Sequence, residues 1–335
     1  MLKVTIKDVA KESGVSIATV SRVLNQVGFV SDEVRARVLA TVERMNYQPN
    51  AVARSLKSDK TNIIGVIIPD ISNPYYMTIS KGIEDQIYQK GYNLIFCSSD
   101  ESQEKERDLL QLLYGKRVDA IILSTSGGNE DLIKQIQKSG IPIILMDRKL
   151  DNMDTDFKID IVKENSVRGA YELTKHVLEL GHKKIGVVNG PMHISTGRDR
   201  YEGFVKAMKQ YNLEIDTKYI VDGHFTQKGG EEAAKYFMTL PEMPSIIIAF
   251  NNSMSFGVLL ELVKNGYHLS KDINLASYGE LEAAQILRGT DIIYVRQNPY
   301  RIGETIGGII IKKLVEGKRD TTEVFEFETE LLVYN

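Results

Sequence analysis

Residues Thr5 to Asn25 read TIKDVAKESGVSIATVSRVLN, two short runs of helical spacing parted by a glycine. Thr5 suits the cap of the first helix, and Asp8, three residues on, completes a capping box near the positive helix end. Ile6, Val9 and Ala10 then share one face. Gly14 stops the helix where a left-handed turn residue carries no steric cost, and Ser16 caps a second helix bearing Val20, Val23 and Leu24. A turn this short forces a steep crossing, as in helix-turn-helix units. Ser31, followed by Asp32 and Glu33, opens a third helix whose Val34, Val38, Val42 and Met45 fall in one stripe. Three helices of this kind enclose a small core.

The second helix is the one suited to entering a DNA major groove, with its N-terminal residues foremost. Arg22 can fork onto the O6 and N7 of a guanine, whereas Ile17 and Ala18 offer apolar contact, for instance to a thymine methyl. Ser16, Thr19, Ser21 and Asn25, with Thr5, suit phosphate oxygens, which position a protein without specifying sequence. The same residues also fit an ordinary helical hairpin in which Ser16 and Thr19 are only caps and Arg22 is solvated. The pattern alone leaves both readings open.

The next segment narrows the choice. In Asn46 to Leu56, NYQPNAVARSL, Pro49 stops the third helix and Asn50 caps a further apolar helix of about two turns, too short to persist alone in water. It needs a partner helix or a ligand surface. Here the chain resembles the lactose repressor/galactose repressor family, through Asp8, Val9, Ala10, Gly14, Val15, Ser16, Thr19, Val20, Ser21, Arg22 and Asn25, and through Tyr47, Pro49, Asn50, Ala53 and Leu56 in the hinge. The resemblance implies paired hinge helices in the minor groove, with Leu56 wedged into a base step. An apolar wedge there kinks DNA toward the major groove. Ser13 departs from the alanine usual at its position.

Charge distribution agrees with this reading. The 335-residue chain carries a net charge of only -3, but residues 1–60 hold 10 Lys+Arg against 6 Asp+Glu, and the remainder 32 against 39. Positive charge sits where DNA would. A single cysteine, Cys97, excludes an internal disulfide and suits a reducing compartment. No N-terminal apolar stretch resembles a signal peptide and no run reaches membrane-spanning length, so a cytoplasmic protein without a membrane partner is expected.

From Asn62 onward, strands alternate with helices. Strands are expected at 63–68, 92–97, 120–123 and 143–146, with helices at 75–89, 104–113 and 132–138. A second series places helices at 166–180, 200–210, 229–238 and 256–264 and strands at 185–188, 219–221, 246–250 and 274–278. Two open parallel sheets in tandem make two lobes with a cleft at their strand ends, where such sheets bind ligands. The expected architecture is therefore an all-α headpiece at 1–48, a hinge and linker at 49–60, and a two-lobed α/β effector domain at 61–335. Its first lobe would span about 61–163 plus 293–322, and its second about 164–292 plus 323–335.

The family resemblance continues here through Pro69-Asp70-Ile71-Ser72-Asn73-Pro74-Tyr75-Tyr76, Asp147-Arg148, Arg200-Tyr201-Glu202-Gly203-Phe204, Asn251 and Gln297-Asn298-Pro299, and implies the fold of periplasmic sugar-binding proteins. By that resemblance Asn73, Tyr75, Asp147, Arg200, Phe225 and Asn251 line an effector cleft, with Arg148 and Glu280 beside them. Tyr75 and Phe225 would present flat faces to a ring, and Asp147, Asn73 and Asn251 would bond hydroxyls. Arg200 brings a fork for carboxylate or phosphate. Two departures bear on the ligand: Asn251-Asn252 stands for the family's Asn-Asp, and Gly279-Glu280 stands where an aspartate is usual. Losing an acid while keeping Arg148 and Arg200 makes a positive cleft and an anionic sugar derivative the expectation.

Enzyme and transport readings fare less well. No P-loop, GxGxxG, GxSxG or HExxH spacing occurs, and His176, His182, His193, His224 and His268 lack metal-ligand spacing, so no catalytic residue, metal or cofactor is expected. His182, in LGHKKIG, is expected to fix a turn before a strand. The sequence points to a homodimeric regulator, a repressor by family analogy, that binds a palindromic double-stranded operator and answers to a small molecule.

Overall fold

In the computed structural model, residues 4–48, 60–151, 159–287, 291–317 and 322–334 are described. The hinge residues Asn50, Ala53 and Leu56 lie outside them. The chain divides into two compact units, Met1–Thr61 and Asn62–Asn335.

The first unit holds α1 (Ile6–Ser13), α2 (Ile17–Asn25) and α3 (Asp32–Arg44). The capping box forms as the spacing requires: Thr5 accepts from the Asp8 amide while Asp8 accepts from the Thr5 amide at 2.9 Å. Gly14 closes α1 at φ +66°. Ser16 caps α2 through the Thr19 amide at 3.1 Å. Ser31 occupies the cap position of α3 but its hydroxyl makes no capping bond, so Asp32 and Glu33 in the first turn complement the helix dipole instead. Val9, Val20 and Val38 are fully buried, joined by Ala10 and Val23, with Ile6, Leu24, Val34, Val42, Met45 and Tyr47 packed around them. So small a core gives little stability. Polar ties therefore matter: Arg37 donates to the Ser13 carbonyl at 3.1 Å and Arg44 pairs with Glu12 at 2.9 Å, holding α3 to α1.

The second unit contains two six-stranded sheets. The first comprises β1 (Ile63–Ile68), β2 (Asn93–Ser98), β3 (Ala120–Leu123), β4 (Ile143–Met146), β5 (Asp160–Glu164) and β11 (Val324–Phe327), in the order β11-β5-β4-β3-β1-β2 and all parallel. The second comprises β6 (Ile185–Asn189), β7 (Ile220–Asp222), β8 (Ile246–Ala249), β9 (Asn274–Tyr278), β10 (Ile292–Arg296) and β12 (Glu330–Tyr334), in the order β12-β10-β9-β8-β6-β7. Only β12 runs antiparallel to its neighbour among these strands.

Helices α4 (Pro74–Ile87), α5 (Gln103–Gly115) and α6 (Glu130–Lys138) flank the first sheet, and α7 (Ser166–Glu179), α8 (Ser195–Gln210), α9 (Gln227–Thr239) and α10 (Asn252–Lys264) the second. A further helix, α11 (Pro299–Leu314), returns to the first lobe, where Ile302, Ile306 and Ile309 join Ile79, Ile83 and Ile87 in one buried cluster.

Strand membership moves two lobe boundaries from their expected places. β10 lies in the second lobe's sheet, so that crossing falls at 297–298 rather than near 293. β11 lies in the first lobe's sheet, so the last crossing falls at 328–329 rather than at 323. The chain thus passes between lobes three times, the first at Glu164–Ser166. An ion pair anchors the returning helix: Lys313 meets Asp160 at 2.9 Å with both side chains buried, and Asp160 also accepts from the Glu323 amide at 2.8 Å. Among the described residues no helix is long and apolar enough to cross a membrane.

Candidate DNA-reading helix and inter-lobe cleft

In α2, Ile17 is 44% exposed, and Ala18, Arg22 and Asn25 are exposed as well. Val20 and Val23 point into the core, so helical periodicity alone turns the polar face outward. Arg22 has no hydrogen bond or ion pair among the described residues, which leaves its donors available. The four hydroxyl and amide residues are already paired locally: Ser16 with Thr19 at 2.9 Å, and Asn25 donating to Ser21 at 3.2 Å. Hydroxyl oxygens keep spare capacity after one such bond. Thr5 is likewise engaged with Asp8, at 2.6 Å.

The cleft lies between the lobes of the second unit, at the C-terminal ends of the parallel strands. Its inner part is lined by Asp70, Asn73, Tyr75, Tyr76, Glu101, Asp147, Arg148, Thr196, Arg200, Phe225, Asn251, Asn252 and Gln297 and leaves about 30 Å³. That is room for roughly one or two waters, not a sugar ring. The side chains themselves fill the space. Asp147 accepts from the hydroxyls of Tyr75 and Tyr76, each at 3.3 Å. The Arg148 guanidinium grips Glu101 through two bonds, 2.6 and 2.7 Å, and lies 5.1 Å from the centre of the Phe225 ring. Arg200 sits 4.1 Å over the Tyr278 ring and donates to the Phe250 carbonyl at 2.6 Å.

Both cleft residues Asp147 and Phe225 hold left-handed backbone, at φ +66° and +56°. Such conformations cost about 1–3 kcal/mol each in a non-glycine residue and concentrate at functional sites.

Burial acts against the charge of Arg200, but Tyr278, Asp147 and Glu164 outweigh it and raise its pKa. No carboxylate stands within ion-pair distance of Arg200 among the described residues, so its charge is the one a ligand meets. Arg148 differs. Its charge is already neutralised by Glu101, an acid the sequence reading passed over. Of the two arginines kept in the cleft, only Arg200 is therefore without an ion pair among the described residues, and the expectation of an anionic ligand rests on Arg200 alone. The signal for Glu101 was positional, since it lies just past the C-terminal end of β2, where parallel sheets place ligand contacts.

Two other expected ligand residues serve the protein's own architecture. Asn251 caps α10 through the Met254 amide at 2.7 Å and donates to the Phe225 carbonyl at 3.1 Å. Asn73 caps α4 through the Tyr75 amide and exchanges paired amide bonds across the cleft with Asn252, at 3.0 and 3.2 Å, adding Ser253 at 3.3 Å. It is a latch between lobes. Gly279 has φ +108°, and a Cβ there would come within 2.9 Å of the Gln297 amide oxygen, so the aspartate usual at this position does not fit this backbone.

Glu280 belongs to a separate outer chamber of about 790 Å³, which shares Asp70, Tyr75, Asn252 and Gln297 with the inner cleft. At the crossings, Glu164 is fully enclosed and accepts from Gln297 at 2.6 Å, and burial pushes its pKa up to about 7. His182 behaves as its motif suggests: its ring nitrogens meet Ser245 at 2.8 Å and Asn274 at 3.4 Å, tying together the loops that precede β6, β8 and β9.

A three-helix unit with an outward reading helix, joined in one chain to a two-lobed ligand-binding fold, defines a ligand-responsive DNA-binding regulator. Comparison with known proteins agrees. A model of the bacterial regulatory proteins of the lacI family matches residues 5–50, and one of the periplasmic binding proteins and sugar binding domain of the LacI family matches residues 61–330. The chain is 34% identical to the HTH-type transcriptional repressor PurR of Photobacterium profundum, over 98% of this chain and 97% of that one. It is 33% identical to the PurR repressor of Haemophilus influenzae, over 92% and 91%. Among solved structures, a LacI-family transcriptional regulator from Silicibacter pomeroyi superposes with a TM-score of 0.81 at 26% identity, covering 98% of both chains. The lac repressor bound to ONPG, at 21% identity and a TM-score of 0.80 over 99% and 98% of the chains, shares the fold. The chain belongs to the LacI family of bacterial transcriptional regulators.

Proposed function

We propose that this regulator is a cytoplasmic homodimeric repressor that grips a palindromic operator with its headpieces and is controlled by a polyhydroxylated small molecule in the inter-lobe cleft. Ile17, Ala18 and Arg22 read bases, while Thr5, Ser16, Thr19, Ser21 and Asn25 meet the backbone, and Asn50, Ala53 and Leu56 of the hinge enter the minor groove. A two-fold dimer reads two equal half-sites. In the cleft, Asp147 and Arg200 are the hydroxyl-binding pair, flanked by Tyr75 and Phe225. Glu101 already neutralises Arg148, so Arg200 is the cation that the ligand meets, with Asp147 placed to accept from its hydroxyls. The inner cavity of about 30 Å³ means the ligand enters an opened cleft and displaces Tyr75 and Arg148 from their present contacts. Its binding energy then shifts the balance between lobe arrangements, and through it the affinity for DNA. The protein performs no chemistry on its ligand.

The observation that carries this reading is the pairing, in one chain, of an exposed Arg22 on a reading helix with a cleft walled by both lobes. Deleting residues 1–60 tests it. The remaining unit should lose all operator binding while keeping its ligand, with Arg200→Ala abolishing that ligand in the full chain. Retention of operator binding by the deletion would refute the assignment.

A further inference from the structure

The loop that joins α2 to α3 carries Phe29, which at 94% exposure is the most exposed large apolar side chain among the described residues, and Val27, 64% exposed. The backbone around them is fixed. The Val27 amide donates to the Arg22 carbonyl at 3.1 Å and the Gln26 amide to the Val23 carbonyl at 3.3 Å, the paired bonds of a Schellman close, with Gln26 in left-handed backbone at φ +53°. Gly28, at φ +76°, runs so near Arg22 that a Cβ there would lie 3.8 Å from the arginine Cδ. Val30 then turns inward onto the headpiece core, and Ser31 leads into α3. Held at both ends, the loop presents the Phe29 ring to water one residue beyond its contact with Arg22.

We infer that Phe29 is a second reading element, laying its ring against a thymine methyl in the major groove next to the guanine met by Arg22. This rests on the assignment of α2 as the reading helix. Continuity sets the occupant: Asn25 to Phe29 are exposed without a break, so the outward face of α2 runs on into the loop. Chemistry sets the group contacted. A phenyl ring has no charge or hydrogen-bonding atom to offer a phosphate oxygen or a base-edge donor or acceptor, and in the major groove the apolar group is the thymine methyl. Because the loop backbone is already fixed, contact requires little further ordering.

The test uses the intact protein and the inverted repeat it selects from a random duplex pool. Each thymine of the half-site is replaced in turn by uracil, which removes the methyl and nothing else, and affinity is read by fluorescence anisotropy. At one position, adjacent to the base pair that Arg22 reads, the change should weaken the parent about fourfold in one half-site and roughly 15-fold in both. Phe29→Ala should lose at least as much on the parental operator, show no further loss with uracil at that position, and relax the selected preference for thymine there, whereas Phe29→Leu keeps most of the affinity. Both variants should bind random duplex within about twofold of the parent and with its salt slope, because no phosphate contact is removed. Their melting temperatures should be parental, since the ring is in water. Phe29→Ala that matches the parent on the operator, that weakens operator and random duplex alike, that still answers to every uracil as the parent does, or that unfolds, overturns the second reading element; an effect of Arg22→Ala then leaves α2 as the reading helix. Failure to select any sequence, with Arg22→Ala silent, overturns the α2 assignment and Phe29 with it.

Discussion

Replacing Asn252 by alanine removes both amide bonds that Asn73 exchanges with it across the cleft, at 3.0 and 3.2 Å. Each partly buried hydrogen bond contributes about 0.5–1.5 kcal/mol net, so their loss should favour the open arrangement by about 1–3 kcal/mol, or roughly 5- to 150-fold in population. Other polar ties join the lobes: the Lys149 amide donates to the Ser195 hydroxyl at 2.8 Å, and this bond the substitution leaves in place. Lys149–Asp199 and Arg198–Asp151 are partly exposed ion pairs, worth about 0–1 kcal/mol apiece. The Asn73 bond to Ser253, at 3.3 Å, survives the substitution and sets the lower end of the range. Native-state hydrogen exchange reads the outcome directly. The amides of Tyr75 and Met254 are held by Asn73 and Asn251 beside the latch, and should exchange faster in Asn252→Ala by the opening factor, while those of β1 keep their parental rates. Unchanged exchange at Tyr75 and Met254 would show that the latch holds no energy, and would refute the reasoning that lobe closure is set by this pair.

Three further outcomes are expected. The Glu164 carboxyl, raised from 4.5 to about 7, keeps its proton in the folded chain where the unfolded chain has lost it. Its contribution is therefore fully present below about 4.5 and lost as pH rises through about 7, so Glu164→Gln should equal the parent near pH 4 and exceed it near pH 8 by up to roughly 3 kcal/mol in denaturant unfolding. Glu101→Gln leaves the buried Arg148 without its counter-charge and should cost roughly 3 kcal/mol, a drop in melting temperature that Arg148→Met in the same chain should partly relieve. Gly14→Ala meets no atom within 4 Å but must hold φ +66°, so thermal melting should report about 1 kcal/mol of headpiece stability lost.

The headpiece was legible in the sequence because each of its signals is local. Thr5 with Asp8, Gly14 and Ser16 act within four residues of their partners, and all three do what the spacing implies. Strands β1, β3, β4 and β9 were legible because their apolar runs are bounded by turn residues. Helix α8 begins at Ser195, five residues before its expected start, since Ser195, Thr196 and Gly197 are poor helix formers held in place by tertiary contacts. β5, β10, β11, β12 and α11 were not anticipated: β11 is a mostly exposed edge strand, and β12 follows it directly across a lobe boundary, so neither shows the pattern of a buried strand.

In the cleft, residue identity was readable and residue commitment was not. Asp147, Arg148, Arg200 and Phe225 do converge, but that Arg148 is spent on Glu101, or Asn73 on Asn252, depends on loops brought together by two separate lobes.

The central claim is that the exposed face of α2 reads a specific, two-fold symmetric operator. Selection of bound fragments from a random duplex pool by the intact protein tests it most directly, repeated with Arg22→Ala. The account predicts enrichment of one inverted repeat by the parent, and a loss of about 1–3 kcal/mol of specific affinity with relaxed preference at one base pair per half-site for the variant. A pool that emerges without any shared sequence, or an inverted repeat bound equally well by Arg22→Ala, would contradict it.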